Sequence, residues 1–124
     1  EDPNYKERFI KNNMNGLLKN PTKLEKKFID VCEKYHLPFE YTRDGKVLIG
    51  SKNPDFISND KIIEIFSWHH TPENKNILWH QTEDGCKEYY NKYNYKTLVL
   101  WDHEFSGDQW EDNVALKVKN FISN

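Results

Sequence analysis

The run Lys61-Ile-Ile-Glu-Ile-Phe66 is the tightest constraint on what this chain can fold into. Its β-branched and aromatic residues read as a strand. The run is apolar at odd and even positions alike, as in a strand covered on both faces. Glu64 breaks it. A carboxylate there either lies on a solvated face or holds a cation, because an unpaired charge in an apolar layer is costly. Just upstream, Phe56-Ile-Ser58 reads as a first short strand opened by Asp55, and the polar pair Asn59-Asp60 as the turn between the two. Trp68, His69 and His70 follow where the second strand ends. Carboxylates at the ends of adjoining strands, with imidazoles close by, can hold a divalent metal and move protons.

The rest of the chain supplies the frame. Residues 1–20 are polar; Tyr5, Phe9, Ile10, Leu17 and Leu18 suggest an N-terminal arm or short helix there. Thr22-Lys-Leu-Glu25 is a capping box, with Thr22 as N-cap. Leu24, Phe28, Val31, Cys32 and Tyr35 then fall on one helical face, and Leu37-Pro38 ends the helix. Phe39 to Thr42 alternate as a strand, Asp44-Gly45 signals a hairpin, and Lys46 to Ile49 are expected to pair back. Gly50 to Pro54 lead into the strand pair. Ser67 to His80 shows no period and reads as a loop. Thr82-Glu-Asp opens a second helix expected to reach about Asn94, its acids suited to the positive helix end. Thr97-Leu-Val-Leu-Trp101 reads as a buried strand, and Asp108 as the cap of a final helix bearing Trp110, Val114, Val118, Phe121 and Ile122. The expected order is α-β-β-β-β-α-β-α, a single α/β domain with a mixed sheet over residues 21–124.

Composition narrows the class. The 124 residues are 36% hydrophobic and 15% aromatic, so large rings must provide core area that aliphatics do not, and a disordered chain is not expected. The net charge of −2 lacks the basic excess common in free-standing nucleic-acid binders, although 18 Lys+Arg can cluster on one face. Two cysteines in unrelated contexts do not make a disulfide framework. No apolar run reaches membrane-spanning length and no signal-peptide pattern is present, so no membrane partner is expected and the location is expected to be intracellular, cytoplasmic or nucleoid-associated. The start Glu1-Asp2-Pro3, without an initiator Met, leads to the expectation of a processed or trimmed fragment.

The sequence of features (a helix with Glu25, Pro54-Asp55-Phe56, Ile63-Glu64-Ile65, Trp68-His69, a helix, then Thr97 to Glu104) resembles the very-short-patch repair (Vsr) endonucleases and the E-D-x-H-D homing endonucleases. Both are branches of the PD-(D/E)xK nuclease superfamily, and the resemblance covers roughly residues 21 to 122. It implies a restriction-endonuclease-like fold, with a central mixed sheet flanked by helices. It also implies a metal-dependent DNA endonuclease using Mg²⁺ (Mn²⁺ can substitute), with double-stranded DNA as partner and a DNA-binding domain or partner outside this chain. Asp55 and Glu64 match the metal-binding acids, and the Ile65 carbonyl matches a further ligand. Glu25 matches the acidic residue of the N-terminal helix. Phe66 stands where most of the superfamily has lysine; the Vsr-like branch uses histidine instead. His69 follows Trp68 as in that branch, but the interval from Glu64 is short, so His70 is the alternative. The last acid of the pattern has no clean match; Glu73 is nearest. Vsr enzymes also carry a structural zinc held by several cysteines, which two cysteines are not expected to reproduce.

Each residue has a plainer reading. Asp55 can serve an Asx turn after Asn53-Pro54, and Glu64 can sit on an exposed strand face. The capping box accounts for Glu25 by itself. His80, His103, His70 and Cys86 lack the paired spacing of a zinc site. Trp68 can be a packing anchor, and the lysines from Lys23 to Lys34 a solvated helix face. Three functional classes follow: a homing-type endonuclease or mismatch-directed nickase; a catalytically inactive nuclease-fold module that binds nucleic acid or protein; or a small zinc-binding interaction domain.

Overall fold

A computed structural model describes residues 21–124; the arm or helix expected over 1–20 lies outside the described residues. Helix α1 (Lys23–Tyr35) opens on the predicted capping box, with the Thr22 hydroxyl accepting from Glu25 N–H and Glu25 Oε1 accepting from Thr22 N–H at 2.9 Å. It stops where His36 turns left-handed (φ 56°) and Leu37 N–H closes onto the Cys32 carbonyl. Strands β1 (Glu40–Tyr41), β2 (Phe56–Ser58) and β3 (Lys61–Phe66) follow, then helix α2 (Glu83–Asn91), strand β4 (Lys96–Trp101) and helix α3 (Trp110–Ser123). The result is a small α/β domain with a mixed sheet in the order β1-β2-β3-β4. β1–β2 and β2–β3 are antiparallel, and β3–β4 is parallel, as its crossover through α2 requires.

β3 owes its doubly apolar pattern to this layering. Ile63 faces α1 and α3, in a core with Phe28, Val31, Leu100 and Val118. The rings of Phe28 and Phe56 meet edge to face at 4.8 Å. Ile62 and Phe66 face α2, with Cys86, Tyr90 and Val99. Glu64 has the parity of Ile62 and Phe66, so its carboxylate enters the α2-side layer.

Three expectations are corrected. The Asp44-Gly45 turn forms, with Gly45 at φ 95° and Asp44 Oδ1 accepting from Lys46 N–H. Lys46 to Ile49, however, form no strand of the sheet. β1 pairs across to β2 instead, a pairing extended by Thr42 N–H to the Asp55 carbonyl at 2.8 Å. Val47 and Ile49 are freed to bury in the α2-side core. There are therefore four strands, not five. Helix α2 ends at Asn91, because Asn94 turns left-handed (φ 68°) to lead the chain into β4. Asp108 does not cap α3. The N-cap is Gln109 in the left-handed region, a turn that brings Trp110 onto Phe105 with ring centroids 5.6 Å apart. The loop from Ser67 to His80 contains one short 3₁₀ turn, Trp68–His70, and reaches a second, Trp79–Gln81.

Candidate active site

The β2–β3 register pairs Phe56 with Ile63, so one step further Asp55 lies beside Glu64 at the C-terminal end of β3. Reciprocal bonds lock the two acids in place. Glu64 Oε2 accepts from Asp55 N–H at 3.0 Å, and Asp55 Oδ2 accepts from Ile65 N–H at 2.9 Å. Within a strand, the N–H and C=O of one residue point to the same edge. Since Ile65 N–H points to Asp55, the Ile65 carbonyl opens on that side, away from β4. Asp55 is 3% exposed and Glu64 8% exposed. Both line a polar cavity of about 200 Å³, together with Ile65, Phe66 and His70.

Burial governs the electrostatics of the pair. Desolvation pushes the Asp55 carboxyl well above the ordinary carboxylate range, and the charge of Glu64 adds to this, against the Ile65 N–H and Arg43. Desolvation also raises Glu64, against the Asp55 N–H, Lys52 and the Tyr90 hydroxyl. Tyr90, on α2, donates to Glu64 Oε2 at 3.2 Å, and burial raises its phenol far enough to keep it a donor. Two desolvated carboxylates side by side make a site that a cation stabilises. Arg43 already answers that demand in part, with its Nη1 3.6 Å from Asp55 Oδ1 and 3.3 Å from Glu25 Oε2.

The other predicted residues divide sharply. Glu25 is buried, but its carboxylate serves the helix cap, the Tyr41 hydroxyl at 3.3 Å and Arg43, and it does not line the cavity. Arg43 thus links it to Asp55. His69 is exposed and off the cavity, its carbonyl accepting from the Asn74 amide. His70 is the histidine on the cavity wall. Its ring stacks on that of buried Phe66 with centroids 3.9 Å apart, so Phe66 seats the imidazole. His70 Nδ1 accepts from Ser67 N–H at 3.1 Å, so the neutral ring carries its proton on Nε2. Burial pushes its pKa below the ordinary histidine value. Glu73 is exposed and does not reach the cavity. Among the described residues, no group of three or more His, Cys, Asp or Glu side chains surrounds a common point, and His103 is exposed while Cys86 is fully buried.

Sequence reasoning missed Arg43, Lys52, Asn53, Gln81 and Tyr90. The first three line the cavity from loops, Gln81 lines it from the second 3₁₀ turn, and Tyr90 reaches Glu64 from α2. Only Lys52 and Asn53 carry a sequence signal, since they lie within three residues of Asp55. Asn53 is the clamp of this loop: its amide donates at 2.7 Å to both the Thr42 and Val47 carbonyls. Among the described residues, no helix is long and apolar enough to cross a membrane. Compared with protein-family models, with curated proteins and with solved structures, the chain matches none.

Proposed function

We propose that this chain is a Mg²⁺-dependent DNA endonuclease of the Vsr-like branch of the PD-(D/E)xK superfamily, hydrolysing phosphodiester bonds. The observation that carries the reading is the Asp55–Glu64 pair: two buried, mutually locked carboxylates beside an outward main-chain carbonyl, opening on a polar cavity. A mixed sheet flanked by helices accords with the fold that the resemblance implies.

Asp55, Glu64 and the Ile65 carbonyl are an oxygen donor set of the kind that suits Mg²⁺. When bound, the ion supplies Lewis-acid polarisation of the phosphate and lowers the pKa of a bound water. The protein does the rest. Glu64 keeps one oxygen on Asp55 N–H and Tyr90, which leaves Oε1 for the ligand. Arg43 holds Asp55 against Glu25, so Glu25 acts as a positioning residue. His70 presents Nε2–H as a donor to a phosphate oxygen or to the departing 3′-oxygen. Water oxygen bonds to phosphorus, the P–O3′ bond breaks, and the proton lost by water is matched by one gained at the 3′-hydroxyl.

Supercoiled plasmid incubated with Mg²⁺ tests this. The wild type should nick or linearise it, EDTA should stop the reaction, and Asp55→Ala should cut at least about 100-fold more slowly. Cutting by Asp55→Ala at the wild-type rate would place the chemistry elsewhere. Comparing nicks in mismatched duplex with double-strand breaks in long DNA separates the repair role from the homing role. One observation favours a second reading, an inactive nuclease-fold module that binds nucleic acid or protein: Phe66 is a buried ring where most of the superfamily has an ammonium group. That reading predicts DNA binding without Mg²⁺-dependent cutting.

A further inference from the structure

The cavity has a second cation whose charge acts on Glu64 through space but which no carboxylate of the described residues pairs at contact distance. Lys52 lines it beside Asp55, Glu64 and His70. Arg43 is committed to Glu25 and Asp55. Among the described residues, by contrast, no carboxylate oxygen lies within ion-pair distance of Lys52 Nζ. Its one hydrogen bond among the described residues is a long one, 3.3 Å, to the His80 carbonyl. Its other contacts are aromatic, with Nζ 5.7 Å from the Tyr89 ring centroid and 5.8 Å from that of Tyr90. Among the described residues, one of the three ammonium donors therefore has a protein acceptor, and the group lies at the edge of a polar cavity.

The placement of Lys52 is built rather than incidental. Ile49 and Lys52 exchange main-chain hydrogen bonds of 2.8 and 3.1 Å across a tight turn. Gly50 takes the left-handed conformation there (φ 62°), and a Cβ at that position would lie 2.4 Å from the Tyr89 hydroxyl. Ser51 N–H donates to that same hydroxyl at 2.8 Å. The turn is docked on two tyrosines of α2 and its C-terminal end, and Asn53 clamps the next residue. Lys52 thus projects from a fixed turn, not from a free loop.

We propose that Lys52 is the phosphate ligand of this cavity: its ammonium group binds a non-bridging oxygen of the phosphate held next to the Asp55–Glu64 pair. It delivers from the loop before β2 a charge that β3 does not carry at Phe66. The inference rests on the nuclease reading for its substrate, but anion binding by Lys52 is measurable without cleavage.

The test uses the full chain, with Lys52→Ala and Lys52→Arg as variants and two readouts. In the first, ¹³C-lysine-labelled protein with Mg²⁺ is titrated with inorganic phosphate, and Lys52 is assigned as the signal missing from Lys52→Arg. The Lys52 ε-methylene resonance should shift saturably and further than any other lysine. In the second, turnover is measured at saturating plasmid. Lys52→Ala should lose about 100-fold or more, the scale of removing one donor to a developing anion, and Lys52→Arg should recover at least about tenfold of that. The charge-preserving rescue separates phosphate binding from a packing role. A Lys52 resonance that stays still while the anion is added, or a Lys52→Ala rate within about twofold of wild type, overturns the proposal. If phosphate moves Lys52 but the wild type cuts no DNA, the nuclease reading fails and the anion subsite stands. If the wild type cuts and Lys52 is silent in both readouts, the subsite fails alone.

Discussion

Replacing Glu64 by Gln exchanges a carboxylate that is 8% exposed for an amide of nearly the same shape. The amide oxygen can still accept from Asp55 N–H and the Tyr90 hydroxyl, so the local bonds survive. What is lost is the buried charge. In the folded protein Glu64 is raised above its ordinary pKa by desolvation, and Asp55 is raised by burial and by Glu64. Raised acids bind protons more tightly in the folded state than in the unfolded one. From about pH 4, where unfolded carboxyls titrate, stability therefore falls as pH rises through the folded pKa values. Each unit of upward shift corresponds to about 1.4 kcal/mol of stability absent above the folded pKa. Glu64→Gln removes this penalty at Glu64 and lowers it at Asp55, which loses a like charge. In EDTA, urea unfolding of the wild type and the variant should coincide near pH 4 and diverge toward pH 8, with the variant the more stable of the two. With Mg²⁺ at ten times its dissociation constant, the wild type should regain about 1.4 kcal/mol and the variant should not respond. A Gln variant less stable than wild type at pH 8 in EDTA would refute the reasoning, since it would mean that the surrounding donors and cations already stabilise the charged pair.

Two structural predictions probe the frame around the site. Asn53→Ala leaves the Thr42 and Val47 carbonyls without their shared donor and should cost about 1–3 kcal/mol in urea unfolding; a loss below about 0.5 kcal/mol would mean that water replaces the clamp. In an open helix Gly85→Ala would stabilise α2 by about 1 kcal/mol. Here the new Cβ would lie 1.8 Å from the Trp79 carbonyl oxygen, so a lower melting temperature and an altered near-ultraviolet circular dichroism signal from Trp79 are expected instead.

Much of the frame was legible in the sequence because its signals are local. The Thr22–Glu25 capping box and the helical spacing from Leu24 to Tyr35 act within one helix, and both appear as read. The Asn59-Asp60 turn joins β2 and β3 directly, so the period-2 pattern on either side fixes the register that brings Asp55 beside Glu64. Thr97 to Trp101 form the expected strand because an apolar run of that length has few other ways to bury both faces.

The tertiary structure decided what depends on contacts between distant segments. Asp44-Gly45 is a sound hairpin signal, yet β1 pairs with β2, because pairing is settled by which strand lies alongside and not by the turn alone. Nothing in Trp68-His-His70 distinguishes its two imidazoles; the 3₁₀ turn and the face of Phe66 bring His70 to the cavity and leave His69 in solvent. Arg43, Lys52 and Tyr90 come from two loops and a helix, 21, 12 and 26 positions from Glu64, and no periodicity links them. The sequence alone therefore determined the acid pair and the strands that carry it, through interactions a few residues apart. The charge balance around that pair was decided only by the packing of loops and α2 against β3, since electrostatic partners are chosen by distance in space.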